Sequence, residues 1–229
     1  MLFRSLQADS LQLKLGLTTH SAPLWEETVQ ELEQLLRDRL PGLSSVTIER
    51  VEHARAPQPL GQIGLTAKSV IAVASGKGGV GKSTVAVNMA ISLQRFGCRV
   101  GIMDADVYGP SIPHLLGVEG RPEVIDNRVQ PIDAAGIPVM SIGFMIPQGE
   151  AVIWRGPMLH GAITQFLRDT NWGDLDYLII DMPPGTGDIA LTLSQSIPLT
   201  GAVVVCPPQQ LALIDATKAI AMFRKVNIT

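Results

Sequence analysis

The chain is predicted to be an α/β protein: a mostly parallel sheet covered by helices on both faces, preceded by a smaller α/β unit that looks incomplete. Three observations predict this. From residue 69 onward, short apolar runs alternate with stretches of helical spacing, the pattern of strand–helix–strand units. A glycine-rich loop at 75–84 joins one such run to one such helix. The first 53 residues carry two alternating strands around a leucine-rich helix, and a segment rich in proline and glycine follows.

In chain order, Leu11, Leu13, Leu15 and Leu17 alternate with Gln12, Lys14 and Gly16, the period of a half-buried strand. Ser21-Ala22-Pro23 opens a helix, with proline suited to the first turn. Leu24, Val29, Leu32, Leu35, Leu36 and Leu40 fall on its apolar face, and Pro41-Gly42 ends it. Val46 and Ile48 mark a second strand. About 50 residues is little for an independent core, so this unit is expected to dock on a neighbour. The predicted organisation is a small domain at 1–53, a linker at 54–68 containing Pro57, Pro59, Gly61 and Gly64, and a larger domain at 69–229. Within the larger domain, strands are placed at 70–74, 99–103, 137–142, 177–181 and 201–206. Helices are placed at 83–95, 157–169, 188–195 and 211–225. Residues 107–135 read as irregular.

Composition narrows the function. Hydrophobic residues make up 46% of the chain, ample for a core, and the net charge is −3 with a pI near 5.8. Nothing marks a basic surface for nucleic acid. No apolar run approaches the length of a membrane-spanning helix, and Met1-Leu2-Phe3-Arg4-Ser5 begins no signal-peptide pattern. The only cysteines, Cys98 and Cys206, form neither a C-x-x-C pair nor a disulfide framework, and both fit buried structural thiols. His20, His53, His114 and His160 show no paired ligand spacing. The expectation is a cytoplasmic protein with neither nucleic acid nor membrane as partner.

The loop reads Ser75-Gly76-Lys77-Gly78-Gly79-Val80-Gly81-Lys82-Ser83-Thr84. Gly76, Gly81, Lys82 and Ser83 meet the pattern G-x-x-x-x-G-K-[ST], and the strand before and helix after supply its required context. Glycines let successive N–H groups curl toward phosphate oxygens, and the following helix adds unsatisfied amides and the positive end of its dipole. Residues 76–84 are therefore the candidate ATP-binding set. Lys82 is directed toward the β- and γ-phosphates, and the Ser83 hydroxyl toward Mg²⁺. Asp181 follows the apolar run Tyr177-Leu178-Ile179-Ile180, so its carboxylate is the second candidate Mg²⁺ holder, opposite Ser83. Asp104 and Asp106 follow Val100–Met103 and, two apart in an extended segment, would share a face. One would orient or deprotonate water, and the other would contact Mg²⁺ or a partner's loop; spacing does not apportion the roles. Pro183-Pro184-Gly185-Thr186-Gly187 is a stiff segment joined to a hinge, suited to a switch, with Asp188 capping the next helix. Pro207-Pro208-Gln209-Gln210 is a candidate wall for the base.

Lys77 adds a distinction. The form K-G-G-x-G-K-[ST] resembles the deviant phosphate loop of the MinD/ParA/nitrogenase iron protein class. That resemblance implies a homodimer formed on ATP, with Lys77 reaching the partner's nucleotide. It also favours Asp106 as the water-activating residue. Residues 71–84, Asp104-Ala105-Asp106-Val107-Tyr108-Gly109-Pro110-Ser111, Trp154-Arg155-Gly156-Pro157-Met158, 181–188 and 221–225 resemble the Mrp/ApbC family of ATP-dependent iron–sulfur cluster carriers. The first 53 residues resemble the latter part of the small domain fused ahead of many such carriers. The resemblance implies ATP hydrolysis and an iron–sulfur cluster as cargo, with apo iron–sulfur proteins and cluster scaffold proteins as partners. The family's C-x-x-C cluster ligands would lie beyond Thr229, so no iron–sulfur ligand is assigned within this chain, which reads as a truncated fragment or a form lacking that site. Ala22 stands before Pro23-Leu24 where the small domain often carries cysteine. The alternative is a MinD/ParA-like positioning switch using the same dimer cycle.

Overall fold

The computed structural model describes residues 2–7, 9–58, 60, 63–107, 109–145 and 156–228. The expectations for Pro59, Gly61, Tyr108, Trp154 and Arg155 lie outside these residues. The chain divides into two compact units, Met1–Ala56 with Phe96–Cys98, and Pro57–Arg95 with Arg99–Thr229.

The first unit is a three-stranded sheet, order β1-β2-β3, of β1 (Leu2–Gln7), β2 (Ser10–Leu17) and β3 (Ser45–Glu52). β1 pairs antiparallel with β2, with an irregular register between Phe3 and Ser5. β2 and β3 are parallel, so α1 (Trp25–Arg39) is their crossover. A 3-10 helix, Thr19–Leu24, precedes α1 and contains Pro23. Leu11, Leu13 and Ala22 are buried, but α1 buries no residue fully. Three positions on its leucine face, Leu24, Leu35 and Leu40, remain exposed, so that face is broader than the three-stranded sheet covers.

In the second unit the strands are β4 (Ala67–Ser75), β5 (Val100–Asp104), β8 (Ile132–Ala134), β9 (Ile137–Ser141), β10 (Leu175–Asp181) and β11 (Gly201–Val205). β6 (Val124–Ile125) and β7 (Arg128–Val129) form a separate hairpin. The helices are α2 (Lys82–Arg95), α3 (Ile112–Leu116), α4 (Gly156–Asp169), α5 (Asp188–Ser196) and α6 (Gln210–Lys225). The sheet order is β11-β4-β10-β5-β9-β8. All pairs are parallel except β8–β9 at the edge. The central strands are buried on both faces, with Val70, Ala72, Val73, Ile102, Met103, Leu178, Ile179 and Ile180 essentially inaccessible. Near-continuous apolar runs are what a strand covered on both sides requires. Ile63, Leu65 and Ala67 join this core, and Leu60 pairs with Leu65, so part of the segment read as a linker packs with the sheet.

Two features of the topology position chemistry. β4 and β5 are consecutive in sequence but separated by β10, so α2 carries the chain past β10. The register then aligns Asp181 with Asp104, and Asp104 with Ser141, at the carboxyl ends of three adjacent strands. Ligands bind at such ends in open α/β sheets. The irregular 107–135 stretch holds α3, the β6–β7 hairpin turning at Asp126 and Asn127, both at positive φ, and edge strand β8.

Candidate nucleotide site

β4 ends at Ser75 and α2 begins at Lys82, so residues 76–81 must reverse the chain within one short loop. Gly79 and Gly81 adopt positive φ, +73° and +87°, which side chains with a Cβ rarely tolerate. Gly76 is needed for a different reason. A Cβ there would overlap the backbone of Asp215 on α6, so the loop is pressed directly against that helix. Ser75 Oγ donates to Lys77 O at 2.8 Å, closing the start of the loop. The first bond into α2 is Val85 N–H to Gly81 O, 3.0 Å. The amides of Lys82, Ser83 and Thr84 precede it and have no intrahelical acceptor, as in any first helical turn.

Lys82 is buried, and its Nζ donates to Asp181 Oδ1 at 2.6 Å and lies 3.3 Å from Asp106 Oδ2. Ser83 Oγ donates to the other Asp181 oxygen, Oδ2, at 2.5 Å. Burial pushes the Asp181 carboxyl up, against the pull of the Lys82 ammonium and the Ser83 hydroxyl. Asp106 Oδ1 is buried and has no hydrogen-bond partner. A cleft of about 420 Å³ opens above these groups, lined by Gly78, Gly79 and Gly81–Thr84 of the loop and helix together with Asp106, Gly109, Ser111 and Pro184. Pro184 belongs to the segment after Asp181, which is tied to the loop strand by Gly185 N–H to Ser75 O, 2.8 Å. Lys77 is exposed.

The two aspartates expected to share a face do not. β5 ends at Asp104, and the chain turns so that Asp106 N–H donates back to Asp104 Oδ1 at 3.1 Å. Asp106 reaches the cleft; Asp104 is fully buried behind it. Asp104 Oδ2 accepts from Ile112 N–H at 3.2 Å and Ser141 Oγ at 3.1 Å. Burial, and secondarily the charge of Asp181, push the Asp104 carboxyl up to about 7. Asp104 is therefore withdrawn from the catalytic candidates: its oxygens organise backbone rather than face a ligand.

Other expectations also change. Gly187, not Asp188, is the N-cap of α5. No residue of 207–210 lines the cleft among the described residues. Cys98 is buried as expected, but Cys206 is exposed at the end of β11. Ser141 was not singled out by any motif. Its one signal is a polar residue closing an apolar strand, the same signature that marked the aspartates.

The donor set fits a small hard cation: one hydroxyl and one carboxylate on facing elements, with the partnerless Asp106 Oδ1 beside them. Among the described residues no group of three or more His, Cys, Asp or Glu gathers at one point, so solvent or nucleotide oxygens would complete the shell.

A phosphate-type loop between a central parallel strand and a helix, with acidic strand ends opposite, defines a P-loop NTPase of the MinD-like fold. The cell division ATPase MinD of Pyrococcus furiosus shares that fold, with a TM-score of 0.52 at 24% identity over 70% of this chain and 68% of that one. The chain belongs to the NUBPL iron-transfer P-loop NTPase family, whose description matches residues 66–229. It is 60% identical to the iron-sulfur cluster carrier protein of Haemophilus influenzae over 96% of this chain and 60% of that protein. The corresponding protein of Deinococcus radiodurans is 50% identical over 97% of this chain and 63% of its own length. A nucleotide-binding protein from Archaeoglobus fulgidus, solved in complex with ADP, aligns with a TM-score of 0.63 at 44% identity, covering 71% of this chain and 64% of that one. The chain thus spans less than two thirds of the length of these relatives.

Proposed function

We propose that the chain binds Mg-ATP, hydrolyses it to ADP and phosphate, and, as part of a longer protein, uses an ATP-dependent homodimer to load iron–sulfur clusters and pass them to apo-proteins. The observation that carries the nucleotide part is the convergence of Lys82, Ser83 and Asp106 on one cleft under the glycine loop, with the buried Asp181 bonded to both Lys82 and Ser83. The cluster part is supported by the family and by the carriers it resembles.

In this reading the amides of residues 78–84 cradle the β- and γ-phosphates, and Lys82 exchanges its carboxylate contacts for phosphate oxygens. Ser83 and Asp181 hold Mg²⁺, which when bound neutralises charge on the phosphates. Asp106 orients a water and accepts its proton as the oxygen attacks the γ-phosphorus and ADP departs. Exposed Lys77 extends to the nucleotide of a second subunit. The apo-protein and scaffold partners follow from the cargo.

A single experiment separates the steps. ATP turnover and nucleotide binding are measured for the wild type, Asp106→Asn and Lys77→Ala. Asp106→Asn is expected to keep Mg-ATP binding and lose about 100-fold or more in turnover. Undiminished turnover in Asp106→Asn removes its role. For the cargo, anaerobic reconstitution of the longer protein is expected to yield a labile cluster transferable to an apo-acceptor; no cluster bound or transferred ends that part.

A further inference from the structure

We propose that Ser141 and Gly143, acting with Asp104, form a bracket that positions the loop 105–112 and through it holds Asp106 over the cleft; this rests on the role given to Asp106 above. The bracket is a continuous set of contacts. Gly143 N–H donates to Ser141 Oγ at 3.0 Å. Ser141 Oγ donates to Asp104 Oδ2 at 3.1 Å. Asp104 then receives Asp106 N–H on one oxygen and Ile112 N–H on the other, which are the two ends of the loop. A second contact closes the bracket from outside: a Cβ at Gly143 would meet Pro110 at 2.9 Å, so the turn after β9 is packed flush against the loop's middle.

The burial pattern fits positioning rather than ligand contact. Ser141 and Asp104 are inaccessible, and neither lines the cleft. The residues they steer, Asp106, Gly109 and Ser111, do line it. A carboxylate that accepts two backbone N–H groups from opposite ends of a seven-residue span fixes that span's closure, which otherwise costs chain entropy. Without the bracket the loop would still be tethered at Asp104 and α3, but Asp106 would no longer be held 3.3 Å from Lys82. Catalytic geometry is sensitive on this scale, since a misplacement of about 1 Å costs about 100-fold in rate.

Two readouts, each in two variants, test it. In Ser141→Ala, exchange of the Asp106 and Ile112 amides is expected to speed about tenfold, while the β4 amides at 70–74 keep their protection. In the same variant, kcat for ATP is expected to fall about tenfold or more with KM changed less than about twofold, because the phosphate loop itself is untouched. Gly143→Ala, which displaces Pro110 by another route, should reproduce both changes. Unchanged exchange at Asp106 and Ile112 in Ser141→Ala overturns the bracket. So does a rise in KM at constant kcat. If the wild type turns over no ATP yet the amides respond as expected, the bracket stands as a device of the loop and the hydrolysis reading falls.

Discussion

Lys82 is an ammonium withdrawn from water and paired with two carboxylates, one of them wholly buried. Such a pair adds little net stability, but removing one partner leaves the other charge uncompensated. Lys82→Ala is therefore expected to lower stability by about 3 kcal/mol, read as a shift in denaturant midpoint. Asp104 gives a pH test with a defined sign. Its carboxyl is raised by burial from 3.8 to about 7 in the folded chain, so between these values the folded state holds a proton that the unfolded state has released. Its contribution is fully present below about pH 4 and is lost as pH rises toward 7. Denaturation of wild type and Asp104→Asn at pH 5 and pH 7.5 should show the variant gaining on the wild type at the higher pH, by about 1–3 kcal/mol. An unchanged difference would contradict it. Lys82, Ser83 and Asp181 were legible in the sequence because a loop motif and an apolar strand fix their places. The separation of Asp104 from Asp106 was not legible, because two-residue spacing does not reveal that the strand stops at the first of them.

At the level of elements, the phosphate loop is sandwiched between the strand that feeds it and a helix over 100 residues later in sequence. Gly76 touches the backbone of Asp215 on α6, which cannot yield as a flexible side chain would. Gly76→Ala is expected to cost about 2–3 kcal/mol and to weaken nucleotide binding, checked by thermal melting and titration. Gly78→Ala meets only Pro184 at 4.0 Å and should cost far less stability. Five strands of the second unit, β4, β5, β9, β10 and β11, and four of its helices, α2, α4, α5 and α6, were readable to within a few residues, since strands buried on both faces are continuous apolar runs. The short pieces were not. β1 runs Leu-Phe-Arg-Ser-Leu-Gln without clean alternation and pairs through an irregular register. β6 and β7 are two residues each and owe their hairpin to the turn at Asp126 and Asn127. The leucine face of α1 was legible as amphipathic, but periodicity does not say how much of that face a three-stranded sheet covers.

For the molecule as a whole, no helix among the described residues is long and apolar enough to cross a membrane. The proposed cycle requires two copies, with Lys77 crossing from one to the other. Lys77→Ala is expected to bind Mg-ATP normally yet fail to dimerise on adding it, measured by sedimentation with and without nucleotide. A variant that still dimerises would confine Lys77 to its own loop. The central claim, that the loop between β4 and α2 grips a nucleotide through Lys82, is tested most directly by calorimetric titration of Mg-ATP into the wild type and Lys82→Ala. The expected result is saturable one-site uptake by the wild type and at least about 100-fold weaker binding by the variant. Folded wild type that takes up no Mg-ATP, or equal uptake by both proteins, would contradict it.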